Sequence, residues 1–295
     1  MSDKLETKVR VRLARVSDRE AVFRFCRKTW GWGDYVPRVW DRWLKDRGGR
    51  VFVAAIEGLP VGICHLSLDK PREVWLSAAR TDPEYRRMGI ATAITEKCLE
   101  YARRKGAKKA RLMTESFNVA AQALLPKLGF VRVAEFAETE ARKMTAQVSR
   151  GSRWAKADDA EALWHYLRGS KTYRKAAGLY VVMFHYFSLD KPDLKRFVMQ
   201  QSAIVHEDGK GKTDGLMLID DATKEWHENM IQTSYVDGSP EAVLDIGKFL
   251  KSHCHASGIK SILGMVPNQK PIVDTFLTLG FKEQESTNMV YEKRI

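Results

Sequence analysis

Apolar and polar residues alternate over residues 11–16, and this period of two predicts a short strand. Ser17-Asp18 then offers a helix cap, and the apolar spacing behind it predicts a helix running to about Trp30. The segment WGWGDYVP breaks that period, and RVWDRWLKDR starts a second helix after Pro37. RVFVAAIEGLPVGICHLSL is almost continuously apolar and turns at Glu57-Gly58, as a hairpin does. EVWLSAART predicts another strand, and ATAITEKCLEYARRKG a helix ended by Gly106 in a left-handed conformation. KARLMTES reads as a strand and NVAAQALLPKL as a helix, after which Gly129-Phe130 opens a last hairpin. Strands and helices alternate after residue 73, which predicts an α/β class with a mixed sheet and crossover helices.

The second half repeats this plan. RWAKADDAEALWHYL echoes RLARVSDREAVFRF at an offset of 141, and DDATKEWHENMIQTSYV echoes LDKPREVWLSAARTD at 152. Gly258-Ile259-Lys260 echoes Gly106-Ala107-Lys108, and LTLGF echoes PKLGF. Echoes in the same order along the chain predict a duplicated domain. The halves are expected at 1–146 and 152–295, linked near MTAQVSRGS.

Composition changes this picture in one respect. The chain has 295 residues, 44% of them hydrophobic, with 20 glycines and 9 prolines, a globular composition. No apolar run approaches a membrane span, and MSDKLETKVRVRL lacks the apolar centre of a secretory signal. Cys26, Cys64, Cys98 and Cys254 stand far apart, in no metal or redox spacing, so reduced thiols in a cytoplasm are expected. His253 and His255, two apart in an expected helix, face apart and make a poor metal pair. The net charge of +13 is carried by one half: residues 1–150 hold 31 Lys and Arg against 18 Asp and Glu, whereas the rest holds 19 of each. Only the first half is expected to attract an anionic ligand at long range.

One short stretch concentrates that attraction. In EYRRMGIATA the spacing is Arg86-x-x-Gly89-x-Ala91, between a strand and a helix. The first N–H groups of a helix have no intrahelical partner and point outward, where the helix dipole favours an anion. Gly89 lets a ligand approach the backbone, and Arg86 and Arg87 add charge. The plain alternative is a surface turn with two solvated arginines.

The flanks resemble the GNAT acetyltransferase superfamily, whose acetyl-CoA loop reads Arg/Gln-x-x-Gly-x-Gly/Ala. The match runs in order over residues 9–136: first helix, hairpin, EVWLSAART, Asp82-Pro83, the loop, Asn118 and the KLGF ending. GDYVPRVWDRWL and the run Arg80-Thr81-Asp82-Pro83 also resemble the branch of histidine N-acetyltransferase-like proteins. The resemblance implies two GNAT-like domains in tandem and acetyl-CoA as cosubstrate, with no metal. It puts the pyrophosphate on the N–H groups of Arg87, Met88, Gly89, Ile90, Ala91 and Thr92, beside Arg86, with Asn118 following. Pantetheine would lie along the backbone of Ala79, Arg80 and Thr81 like an added strand, and the acetyl group would pass directly to an amine.

Direct transfer needs a base, an oxyanion donor and a route for the thiolate to leave. Glu73 lies 13 residues before Arg86, the spacing of the general-base glutamate in the histone acetyltransferase branch, and Glu115 is the second choice. A backbone N–H near Ala79 is the expected oxyanion donor. Where the family places an acidic tyrosine this chain has Leu125. Trp30, Trp32, Asp34 and Tyr35 lie in the connection that walls the acceptor site in the family, with Asp34 expected to hold the acceptor's ammonium, and Trp40 and Trp43 read as core. Arg103, Arg104, Lys105, Lys108 and Lys109 crowd a helix end, first as solvated charge and second as a 3′-phosphate contact.

In the second half, Gly238-Ser239-Pro240-Glu241-Ala242-Val243 stands where Arg86–Ala91 does, with both arginines lost and a glutamate in place of Gly89. That copy is expected to keep the fold and lose the cofactor. The sequence thus reads as an acetyl-CoA-dependent N-acetyltransferase with its site in the first half. Its expected acceptor is a small amine or amino acid, with a protein lysine or N-terminus as the alternative. Two other classes stay open: a CoA-binding regulatory protein without turnover, and a nucleic-acid binder using the basic half. The latter is disfavoured because its charges are not interleaved with aromatics on one face.

Overall fold

A computed structural model describes residues 9–27, 29, 33–220 and 229–295. The chain divides into two compact units. One comprises Met1–Leu112, Leu124–Val131 and Glu292–Ile295, and the other Met113–Ala123 and Arg132–Tyr291. The expected link at 144–152 lies inside the second unit.

In the first unit the elements run β1 (Arg10–Leu13), α1 (Arg19–Cys26), α2 (Val36–Lys45), β2 (Gly49–Ile56), β3 (Leu59–Lys70), β4 (Glu73–Thr81), α3 (Ile90–Arg104) and the start of β5 (Lys109–Glu115). The strands lie in that order, antiparallel from β1 to β4 and parallel between β4 and β5. The hairpin turns where expected, with Glu57 and Gly58 both at positive φ (50° and 86°). Val22, Phe25, Val36 and Trp40 pack on Val51, Val53 and Ile63. Ile90, Ile94, Cys98, Leu99 and Ala102 form the buried side of α3.

Two local expectations are corrected. Asp18 does not cap α1: its carboxylate takes both guanidinium nitrogens of Arg12 at 2.7 Å and accepts the Arg15 N–H, because the chain enters the helix through a 3-10 turn at Val16–Asp18. And α1 stops at Cys26 rather than near Trp30, which itself lies outside the described residues.

The chain continues through α4 (Val119–Leu124) and β6 (Val131–Ala141). The second half then runs β7 (Ser152–Trp154), α5 (Asp159–Gly169), α6 (Lys171–Lys175), β8 (Leu179–Val182), β9 (His185–Ser188), α7 (Lys191–Met199), β10 (Ala203–Glu207), β11 (Thr213–Asp220), β12 (Met230–Gly238), α8 (Pro240–Ala256), β13 (Ser261–Pro267), α9 (Lys270–Thr278) and β14 (Lys282–Arg294). Its strand order is β14-β6-β13-β12-β11-β10-β7, with the β8–β9 hairpin separate. The plan of the first half recurs, with β8, β9 and α7 inserted before β10. Ile204, Met217, Val236, Ile246, Ile262 and Phe276 are fully buried in its core.

The final hairpin expected at Gly129-Phe130 does not form. Instead β6 pairs antiparallel with β13, from Ala141↔Ile262 to Phe136↔Pro267. The last four residues of the chain belong to the first unit, where Lys293 Nζ donates to the Leu128 carbonyl and the Ile295 N–H to the Lys108 carbonyl. Each unit is completed by a segment from the other half of the sequence. Turn residues report that a strand begins but carry no information on which strand it joins.

Candidate functional site

The loop between β4 and α3 is built to leave backbone donors bare. Asp82, 4% exposed, accepts the Glu84 N–H and starts a 3-10 turn at Pro83–Tyr85. The chain then passes from Arg86 in extended conformation to Arg87 at φ 65° and Gly89 at φ 75°. Among the described residues, no backbone or side-chain acceptor meets the N–H groups of residues 87–92. Arg86, Arg87, Met88 and Gly89 are exposed, while Ala91 and Thr92 are partly buried. A Cβ added at Gly89 would meet nothing within 4 Å, so its glycine serves the left-handed turn and open access rather than packing. Ile90 instead is anchored: a Cβ on Gly62 of β3 would come within 2.7 Å of it, so α3 is seated tightly on the sheet. Bare donors at a helix start beside two arginines fit a pyrophosphate.

The strand before the loop is bent and has a free edge. Its parallel pairing with β5 runs only from Glu73↔Lys109 to Trp75↔Arg111. On the other side the β3–β4 register shifts between Ile63↔Arg80 and His65↔Ser77, so Ala78 and Ala79 together face Cys64. This is a β-bulge with Ala78 at φ 51°. Ala79 is exposed and Arg80 and Thr81 partly so. A strand edge without a strand partner, ending at an anion cradle, suits an extended amide-bearing arm such as pantetheine.

The wall beside the bulge comes from the connection between α1 and α2. Asp34 is fully buried; one carboxylate oxygen accepts from Arg80 Nε at 2.7 Å and the other from the Val36 N–H at 3.0 Å. Both oxygens are committed, so Asp34 holds the connection to β4 instead of offering a carboxylate to an incoming ammonium. Tyr35 follows Asp34 in the same connection. Its ring stands edge-on to Trp43 at 6.0 Å, with the Arg80 guanidinium 5.6 Å from its centre. Burial pushes the phenol above its ordinary range, with Arg80 opposing. Trp43 in turn stacks on His65 at 4.0 Å, and His65 Nδ1 lies 3.1 Å from Ser77 Oγ. Sequence reasoning placed Trp43 in the core and passed over His65 and Ser77. A histidine inside the apolar strand VGICHLSL was the available signal. Trp32 lies outside the described residues.

The two candidate bases belong to different units. Glu73 accepts from Arg111 Nη1 at 2.7 Å, and Arg111, 2% exposed, also donates from Nε to Glu292 at 2.7 Å. Roughly 20 Å of extended strand separates Glu73 from Ala79. Glu73 therefore belongs to a buried charge network at the opposite end of β4 from the bulge. Glu115 is in the second unit, where it and Glu140 help raise the Glu138 carboxyl, whose largest cause is burial. Asn118 caps α4 through the Ala121 N–H, and Leu125 is buried. One cavity of the first unit, about 1250 Å³, lies between β1 and α3, beside Arg10, Glu96 and Arg103.

The corresponding region of the second unit is closed. Ser239 caps α8 by accepting the Ala242 N–H, and Pro240 removes a donor. The Thr233 hydroxyl accepts from the Met265 N–H at 2.9 Å and donates to its carbonyl, joining β12 to β13 where their backbone pairing ends at Thr233↔Gly264. Ser170, Tyr235 and Tyr166 all donate to Asp237, fastening α5 and α6 to the end of β12. Among the described residues no three His, Cys, Asp or Glu side chains gather as a metal site, and no helix is long and apolar enough to cross a membrane.

Residues 19–130 match the acetyltransferase (GNAT) family. An uncharacterized N-acetyltransferase of Methanocaldococcus jannaschii is 30% identical over 108 residues, 32% of this chain; the chain spans about half (47%) of that relative's length. A GCN5-related N-acetyltransferase from Sphaerobacter thermophilus shares the fold at TM-score 0.60 and 12% identity, over 97% of this chain and 95% of that one. A tandem GNAT protein from the clavulanic acid biosynthesis pathway superposes at TM-score 0.52 and 12% identity, over 97% and 98% of the two chains. The mixed sheet, the duplicated plan and the loop at 86–91 thus belong to a chain of tandem GNAT fold whose residues 19–130 are a domain of the acetyltransferase (GNAT) family.

Proposed function

We propose that the chain is an acetyl-CoA-dependent N-acetyltransferase with one cosubstrate site, formed in the first half, and a second half whose copy of that site is lost. The observation that carries this reading is the set of bare N–H groups at 87–92 beside a strand edge that ends in a bulge. Acetyl-CoA supplies an activated thioester. The chain holds the pyrophosphate on the α3 N-terminus and Arg86 and Arg87, and pantetheine along Ala79, Arg80 and Thr81. The Ala79 N–H at the bulge is the assigned oxyanion donor. Glu73 is bonded to Arg111 at the far end of β4 from the bulge, so the amine proton is assigned to solvent at the open edge. Asn118 acts as a helix cap and supports the loop rather than the ligand.

The acceptor assigned is a compact amine or amino acid, met on the wall of Tyr35, Trp43 and His65. Asp34 positions that wall by fixing Arg80. The four free, buried cysteines suit a reducing compartment such as the cytoplasm. Calorimetry with acetyl-CoA tests the site count: one site per chain is expected, and two equal sites would overturn the lost-copy reading. Thiol release over free amino acids, polyamines and short peptides tests the reaction. Binding without release for any amine would identify a CoA-binding regulator, and a tenfold preference for peptides would replace the small acceptor.

A further inference from the structure

The first unit ends on one side in an open strand. Among the described residues β1 is the terminal strand of the sheet and pairs with β2 alone. The register sets Arg10 opposite Ala55 and Leu13 opposite Phe52, and the Ala14 N–H donates to the Val51 carbonyl at 2.9 Å. Antiparallel pairs alternate between bonded and non-bonded, so the backbone groups of Arg10, Arg12 and Ala14 point at β2. Those of Val11 and Leu13 point away from the sheet. The Arg12 guanidinium covers the Leu13 carbonyl at 3.1 Å, which leaves the N–H and carbonyl of Val11 and the N–H of Leu13 facing outward. The two faces of the strand differ. Val11 and Leu13 share the side of Phe52, whose ring meets Tyr101 of α3, and Leu13 is 48% exposed. On that side lies the cavity of about 1250 Å³ between β1 and α3, where Val9, Val11 and Leu99 are its apolar lining. Arg10 and Arg12 share the other face, with Arg12 held by Asp18 and Arg10 exposed.

The geometry points to the β1 edge as a docking site for an extended acidic segment of another protein, which joins the sheet as a further strand. This goes beyond the acetyl-CoA reading and does not depend on it. Main-chain bonds to Val11 and Leu13 hold the segment. Residues directly opposite each other on neighbouring strands share a face. A residue opposite Arg10 or Arg12 therefore meets a guanidinium, and one opposite Val11 or Leu13 lies on the α3 side, over the cavity. The pattern recognised is an alternation of acidic and apolar residues. Charge favours this occupant: six basic and three acidic side chains line the cavity, and the first half of the chain carries the whole net charge of +13. The same charges disfavour a second copy of the chain, because antiparallel pairing of β1 with itself through Val11 would set arginine against arginine.

The probe is an end-capped, fluorescein-labelled peptide of alternating glutamate and valine, about six residues long as strands usually are, read by anisotropy against the full chain. Its control has the same composition with the glutamates and valines in two blocks, so that its acids cannot share one face. The alternating peptide should bind with a Kd below about 1 mM and roughly fivefold tighter than the block peptide. Its affinity should fall several-fold as salt rises to about 1 M, where the screening length is about 3 Å. Val11→Pro removes an outward N–H that β2 does not use, at a place where an edge strand tolerates proline. It should weaken the alternating peptide about tenfold or more while circular dichroism shows an unchanged fold. Arg10→Glu should weaken it roughly fivefold and shift the preference to a lysine–valine peptide, and this variant carries the test if Val11→Pro does not fold. No binding of the alternating peptide up to about 1 mM, equal binding of the block peptide, or unchanged affinity in either folded variant would overturn the inference. A wild-type chain that sediments as a dimer and becomes a monomer on Val11→Pro would assign the edge to a second copy and also overturn it.

Discussion

Replacing Glu73 with glutamine separates a catalytic carboxylate from a structural one, and the two roles predict opposite results. Arg111 is 2% exposed and Glu73 12%, at 2.7 Å, so the pair is screened far less than a surface ion pair. Removing one partner of an isolated buried pair costs about 3–5 kcal/mol. Here the loss is smaller, because Arg111 keeps Glu292 at 2.7 Å and a glutamine oxygen can still accept from Nη1. What disappears is the charge assistance of one hydrogen bond, about 2 kcal/mol. For a folding unit of this size that is a fall in Tm of roughly 4–8 °C. Turnover in the folded range should stay within about threefold of wild type, because the side chain is bound to a guanidinium at the far end of β4. Thermal melting and thiol release from acetyl-CoA, measured on the same preparation, check both halves of this expectation. A hundredfold loss of kcat with unchanged Tm, together with loss of the acidic limb of the pH profile, would refute the reasoning and return Glu73 to the role of base.

Other consequences follow from single side chains. Gly89→Glu should abolish acetyl-CoA binding, whereas Gly89→Asn, which tolerates φ 75° and adds no charge, should keep affinity within about tenfold; calorimetry distinguishes them. Asp34→Asn removes the buried carboxylate charge that Arg80 Nε is bonded to and should cost about 3 kcal/mol in denaturant unfolding. The Glu138 carboxyl is raised by burial and by Glu115 and Glu140, so the folded state holds its proton more tightly than the unfolded state does. Wild-type stability should therefore be highest below the unfolded pKa and fall as pH rises through the raised one; Glu138→Gln should remove that decline, giving a higher Tm at neutral pH and little difference near pH 4 in paired melts.

How much of this was legible in the sequence depends on the range of the interaction. The hairpin at Glu57-Gly58, the helix end at Gly106 and the loop at Arg86–Ala91 were readable because each is decided by a few adjacent residues. The partner of β6 was not, since Gly129-Phe130 looks the same whether the strand joins its neighbour or a strand 120 residues away. The family spacing also drew attention to Glu73, but its partner Arg111 is 38 residues on and gives no local sign of being buried. Asp34 looked like an ammonium ligand for the same reason: only the fold shows Arg80 already there. The bulge at Ala78 left no sequence trace, because alanine at φ 51° is a position the surrounding structure imposes.

The two halves show what a GNAT-like sheet needs in order to hold a ligand between its central parallel strands. In the first unit β4 loses its β5 partner after Trp75 and is left with an edge whose N–H and C=O groups need satisfying. In the second unit the matching edge is satisfied from within: the Thr233 hydroxyl serves both the N–H and the carbonyl of Met265, and Asp237 binds three hydroxyls from Ser170, Tyr235 and Tyr166. A buried polar group left unpaired costs about 1–3 kcal/mol, so such an edge needs side-chain partners where it is buried, whereas at exposed Ala79 water can serve until a ligand binds. The second unit has taken the side-chain solution, and the start of α8 is capped by Ser239 with Glu241 in its first turn, which disfavours an anion there. Freed from that constraint, it carries the inserted β8–β9 hairpin and α7, which have no counterpart in the first half. The first unit keeps the open edge, the bare α3 N-terminus and the positive charge together, and these three features are separately unremarkable but jointly suit one anionic, amide-bearing ligand.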